Sequence, residues 1–194
     1  METRELSVPG AFELTPALHQ DERGSFHEWF RADVLAGLTG SGPAFDTVAQ
    51  GNCSISRAGA LRGIHFAQLP PGQAKYVTCL VGAVLDVVVD LRTSSPTFGS
   101  WDSVLLDDRE RRCIYIPAGL GHAFMSLADG SLVTYLVSTP FDSAREHTIS
   151  PLDPDIGIRW PTEGRAGRPL RPLLSQRDRE APSLAEVQAR GLLP

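Results

Sequence analysis

The chain is poor in cysteine. Its 194 residues contain three, Cys53, Cys79 and Cys113, widely spaced and odd in number. No C-x-x-C pair exists, so neither a zinc site nor a disulfide framework is expected, and reduced thiols in a cytoplasmic setting fit best. Basic excess is also missing: Lys and Arg total 18 against 23 Asp and Glu, a net charge of -5. A phosphate backbone needs a basic footprint, so a nucleic-acid partner is excluded. Any anionic ligand has to be met by a few placed Arg and Lys. No apolar run approaches the roughly 20 residues that a membrane helix needs. The first residues, Met1-Glu2-Thr3-Arg4-Glu5, have no apolar segment of the signal-peptide kind.

What the chain does have is apolar residues in ordinary proportion, 42%, enough for a core. The length and the absence of a repeat or boundary predict one domain over 1–194. Short β segments are expected at Val48–Ile55, Lys75–Leu80, Ala83–Leu91, Trp101–Leu106, Arg112–Ile116, Ala123–Ala128 and Leu132–Ser138. Val84-Leu85-Asp86-Val87-Val88-Val89-Asp90 reads as a buried central strand, with Asp86 and Asp90 as structural residues at its flanks. Asp129-Gly130 between two apolar runs predicts a hairpin. One helix is expected over 31–38, ended by Gly37 and Gly40, and another over 183–190, with Ser183 as N-cap, Glu186 as capping-box partner and Gly191 as the stop. Residues 1–20 read as extended, Asp21–Gly24 as a turn, and the Pro- and Arg-rich stretch 151–171 as a surface wrap. Many short strands with regular turns predict a sandwich or barrel.

The chemistry concentrates around Leu61-Arg62-Gly63-Ile64-His65, followed by a Pro- and Gly-rich loop and Lys75. A guanidinium, an imidazole and an ammonium in one neighbourhood can hold an anion and move a proton. The plainer alternative is two surface charges and a satisfied core histidine. Pro117-Ala118-Gly119-Leu120-Gly121-His122 resembles the second motif of the cupin superfamily. The first motif would carry an H-x-H pair; here it is His65-Phe66-Ala67, so the ligand set is too small for a metal.

Eight stretches in order resemble the dTDP-4-dehydrorhamnose 3,5-epimerase family. They are Asp21–Gly24, Gln50 with Asn52 and Ser54, Leu61–His65, Gln73–Lys75, Asp86–Arg92, Ser95–Trp101, Ile116–His122 and Leu174–Asp178. The resemblance implies an all-β, cupin-type jelly roll (double-stranded β-helix) with short peripheral helices. It implies a homodimer whose N-terminal strand crosses to the neighbouring barrel. It implies epimerisation at C3 and/or C5 of a dTDP-4-keto-6-deoxyhexose, without metal or cofactor, as in deoxysugar supply for antibiotics. His65 matches the family's base and Asp178 its partner. Tyr135 matches the opposing acid, and Lys75 the cation beside the C4 oxygen. Arg23, Phe26, Glu28, Gln50, Asn52, Arg62 and His122 match substrate contacts, although Phe26 equally suits a core or dimer contact. The chain departs from the family at Ala123, where glycine is common, at Leu136, where lysine is common, and at Pro140-Phe141, where tyrosines are common. The alternatives are a sugar-nucleotide 3,4-ketoisomerase and a non-catalytic sugar-nucleotide-binding cupin.

Overall fold

A computed structural model describes residues 1–39 and 48–194. The apolar runs form strands, and the strands form two main sheets. The first has six: β1 (Glu2–Glu5), β2 (Phe12–Thr15), β10 (Cys113–Ile116), β7 (Lys75–Val81), β12 (Ser131–Val137) and β5 (Gln50–Ser56), in that spatial order. The second runs β13 (Glu146–Thr148), β6 (Leu61–Ala67), β11 (Leu120–Ser126), β8 (Ala83–Asp90), β9 (Trp101–Asp107). Strand pairing is antiparallel throughout both. This is the jelly roll expected from the sequence.

Side-chain alternation builds three apolar layers. Val77, Cys79, Val84, Val88, Ile114, Phe124 and Val133 fill the space between the sheets. On the outer face of the five-stranded sheet, Ile64, Phe66, Val87, Val89 and Ala123 are covered by Ile156 and by α3 (Leu184–Ala189) through Leu184 and Val187. The Pro- and Arg-rich segment is therefore a wrap with an apolar underside. On the outer face of the six-stranded sheet, Tyr76, Cys113 and Tyr115 meet Leu35 of α1 (Ala32–Thr39). β8 is buried along nearly its whole length, as its composition predicts. The α3 capping box is present: Ser183 Oγ accepts the Glu186 N–H at 3.2 Å, and Glu186 Oε2 accepts the Ser183 N–H at 2.8 Å. The three cysteines are free, two of them buried.

Two expectations are corrected. Asp129-Gly130 does not close a hairpin, because β11 belongs to the five-stranded sheet and β12 to the six-stranded one. Gly130 supplies the positive φ, +75°, that turns the chain, while the Asp129 carboxylate accepts the Ala58 N–H at 2.9 Å. Turn chemistry reverses a chain; the partners available to each apolar face decide what the strand then pairs with. Gly37 does not end α1, which continues to Thr39, whose hydroxyl donates to the Leu35 carbonyl at 3.1 Å. One interior glycine costs a helix about 1 kcal/mol, and the packing of Val34, Leu35 and Leu38 on the sheet outweighs it. Gly40, the other expected stop, lies outside the described residues. The sequence reading also missed β13 and α2 (Gln176–Arg179), which are too short to show a period.

Candidate active site

β6 carries Ile64 and Phe66 into the outer apolar layer, so alternation turns His65 between them toward the interior. Gly63 permits the close approach of β6 to β11. A Cβ there would lie 2.5 Å from the Ala123 Cβ and 2.6 Å from the His122 carbonyl oxygen, and its φ is +124°. The β6–β11 register shifts between His122 and Phe124, with His65 and His122 directly opposed. Both imidazoles therefore stand on one inner face.

Each imidazole is held by a carboxylate. His65 Nε2 lies 2.7 Å from Asp178 Oδ1, across 113 residues of sequence. The Asp178 side chain is 5% exposed and that of His65 34%. Burial alone would raise the Asp178 pKa. Hydrogen bonds from His65 and Ser175, with the charges of His65 and Arg177, outweigh it and hold the group below the usual carboxylate range. An ionised Asp178 accepts the Nε2–H and leaves Nδ1 of His65 with a free lone pair, the form a general base needs. His122 Nε2 lies 2.8 and 2.9 Å from the two oxygens of Asp86, which is fully buried. Burial raises the Asp86 pKa against the opposing influence of His122 and Lys75. Asp86 is thus part of the site and not only a structural flank of its strand. Asp90, by contrast, has its carboxylate taken up by Arg92, Ser95 and Thr97.

Lys75 opens β7 in the opposite sheet and is buried. Among the described residues its ammonium has no hydrogen-bonded or ion-paired partner, only the through-space pull of Glu146 and Asp86. Burial lowers its pKa, and those two carboxylates oppose the shift. Glu146 was absent from the sequence reading. It is on β13, two residues before Thr148, which stands opposite His65. It acts electrostatically on both Lys75 and Tyr135. Tyr135 faces the inter-sheet layer from β12, opposite Asn52 on β5. Burial, then Glu146, raises its pKa, with Arg62 opposing, so its phenol keeps its proton at neutral pH.

Gln50 and Asn52 are bonded to each other, Gln50 Nε2 donating to Asn52 Oδ1 at 2.6 Å. Gln50 Oε1 also accepts the Phe141 N–H at 3.0 Å, tying down the segment after β12. Arg62 is exposed and donates to Ser56 Oγ at 3.2 Å. It lines a cleft of about 380 Å³ with His65, Leu173, Ser175, Arg177 and Asp178. A larger cavity of about 750 Å³ beside α1 contains none of these groups.

Arg23, Phe26 and Glu28 are not brought to this place within one chain. β3 (His19–Asp21) and β4 (Gly24–Phe26) form a separate two-stranded hairpin. There Arg23 pairs with Asp21 at 2.6 Å, Phe26 is 66% exposed, and Glu28 lies 3.3 Å from Arg31. Among the described residues no three His, Cys, Asp or Glu side chains are grouped to hold a metal ion.

Fold and geometry define the class: a jelly-roll protein with two imidazoles, each paired with a buried carboxylate, facing an ammonium and a protonated phenol. The model of the dTDP-4-dehydrorhamnose 3,5-epimerase family matches residues 5–186, and the chain belongs to that family. It is 57% identical to the dTDP-4-dehydrorhamnose 3,5-epimerase of Mycolicibacterium smegmatis over 195 aligned residues, 100% of this chain and 91% of that one. The structure of an epimerase from Mycobacterium tuberculosis superposes with a TM-score of 0.93 at 54% identity, covering 100% of this chain and 94% of that one. A 3'-monoepimerase from Streptomyces bikiniensis in complex with dTDP-quinovose superposes with a TM-score of 0.89 at 48% identity, covering 98% and 91%.

Proposed function

We propose that this chain, acting as a single cupin-like unit over 1–194, epimerises a dTDP-4-keto-6-deoxyhexose at C3, C5 or both. The observation that carries the reading is His65 Nε2 at 2.7 Å from the buried carboxylate of Asp178, which leaves Nδ1 as a base at the mouth of the cleft. A hydrogen on carbon next to the C4 ketone is acidic enough for imidazole to remove. The proton passes to Nδ1 of His65 and the C–H electron pair moves onto the C4 oxygen. Lys75 meets that growing charge from a buried position, where an ammonium stabilises the enolate far more than it would in water. Reprotonation from the opposite face, by the phenol of Tyr135, inverts the centre. The sheet opposite His65 is the right place for such an acid. Arg62 and His122 hold the substrate, and the bonded pair Gln50–Asn52 shapes its polar wall. This chemistry asks nothing of a metal or redox cofactor. The named relatives are epimerases, which favours inversion over carbonyl migration or binding alone.

Proton NMR in D2O with dTDP-4-keto-6-deoxyglucose tests the reading. Solvent deuterium should enter at C3, C5 or both, and the positions labelled read out the regiochemistry directly. A folded protein that binds the nucleotide sugar and labels neither carbon sinks it. Tyr135→Phe should keep the labelling, because His65 still removes the proton, while inversion falls by about a hundredfold. Equal loss of labelling and inversion would instead place Tyr135 in the abstraction step.

The hairpin completes the reading as a homodimer. An exposed Phe26 and a projecting Arg23 have no use in their own barrel but suit the cleft of a second copy. Light scattering should give twice the 21.0 kDa of one chain; a monomeric mass removes this assignment. With its reduced thiols the enzyme belongs in the cytoplasm; no described helix is long and apolar enough to cross a membrane.

A further inference from the structure

The Asp178 carboxylate is divided between two donors. Oδ1 takes His65 Nε2 at 2.7 Å, and Oδ2 takes the Ser175 hydroxyl at 2.8 Å. The Asp178 backbone N–H in turn donates to Ser175 Oγ at 3.1 Å. We propose that Ser175 is a positioning residue for proton abstraction: its hydroxyl fixes the rotation of the Asp178 carboxylate, which fixes the ring of His65. The proposal rests on His65 being the base.

The geometry around Ser175 explains why such a lock is needed. α2 has four residues, Gln176–Arg179, far too few to hold themselves helical. Asp178 therefore gains no rigidity from its own element. A carboxylate bonded through one oxygen turns about its last side-chain torsion, and the imidazole turns with it. With the second oxygen held by Ser175, both oxygens have assigned partners and Nδ1 of His65 keeps one direction, toward the cleft. Ser175 and Asp178 take no proton in the reaction. The substrate's proton goes to Nδ1, the Nε2–H stays between His65 and Asp178, and the hydroxyl hydrogen stays on Ser175.

The competing role is helix capping alone, since Ser175 is the N-cap of α2. Aspartate separates the two roles. It caps helices as well as serine does, but its carboxylate would face Asp178 where a hydroxyl now donates. Turnover and thermal midpoint are measured for wild type, Ser175→Thr, Ser175→Ala and Ser175→Asp. The expected order is clear. Ser175→Thr keeps kcat within about twofold of wild type. Ser175→Ala loses about tenfold in kcat with KM unchanged, the scale at which outer partners of a reactive group act. Ser175→Asp loses at least as much as Ser175→Ala, because its carboxylate repels that of Asp178 where the hydroxyl now donates. A Ser175→Asp enzyme with wild-type kcat overturns the proposal. So does a Ser175→Ala enzyme that loses thermal stability but not kcat, or a Ser175→Thr enzyme no better than Ser175→Ala. Deuterium labelling by wild type is run alongside: if wild type labels neither C3 nor C5, the base assignment has failed and the proposal falls with it, a result distinct from the three above.

Discussion

Deuterium uptake next to the ketone should fall by about a thousandfold or more in His65→Gln, the range that loss of a general base produces. Glutamine is the informative replacement. Its amide nitrogen reaches the position of Nε2 and can still donate to Asp178, so the buried carboxylate keeps a partner and the protein keeps its stability. What disappears is the lone pair of Nδ1. Because every later step needs the enolate, C3 and C5 should fail together if both are substrates. Nucleotide-sugar binding, followed by calorimetry, should survive, since Arg62 and Lys75 are untouched. Labelling at the wild-type rate in His65→Gln would move the base elsewhere. His122, opposed to His65 and backed by Asp86, would be the first residue to examine.

Lys75→Met should separate activity from stability in opposite directions. The lost ammonium no longer meets charge on the C4 oxygen, so kcat should fall by about 10² to 10³-fold, the cost of removing one preorganised donor from an oxyanion site. Thermal stability should rise, because a buried charge is replaced by an apolar chain of similar length. Asp86 keeps its partner His122 in the variant. The pH dependence has a definite sign. The folded-state pKa of Lys75 lies below its ordinary value of 10.5. Between those two values the unfolded chain binds more protons than the folded one, so wild-type stability rises with pH across that window. In Lys75→Met this rise should vanish. Midpoints measured for both proteins from neutral pH to about pH 10 check it; a variant less stable than wild type at neutral pH would mean that Glu146 and Asp86 hold the ammonium well enough to repay its burial.

How much of this was legible depends on range along the chain. The strands of residues 75–137 could be read because alternation and β-branched runs are local signals, and the α3 capping box because its two partners are three residues apart. The pairing of His65 with Asp178 was reachable only through resemblance to a family. No local rule connects groups separated by 113 residues. Asp86 was passed over for a physical reason. A carboxylate in a run of valines looks like a strand flank until its neighbour across the sheet is known, and that neighbour, His122, is brought near by the β8–β11 pairing. Glu146 lies in a three-residue strand that has no period to detect.

The sequence by itself determined the β-rich class, the local caps and turns, and the set of residues able to do acid–base work. Those follow from backbone sterics, side-chain alternation and charge, each set within a few residues. The tertiary structure alone decided which turns join sheets instead of closing hairpins, as at Asp129-Gly130, and which carboxylate serves which imidazole. It also decided that Arg23, Phe26 and Glu28 stand away from the cleft of their own chain. The reason is common to all of these. Sheet partners are chosen by burial of whole faces, and burial sums over residues far apart in sequence.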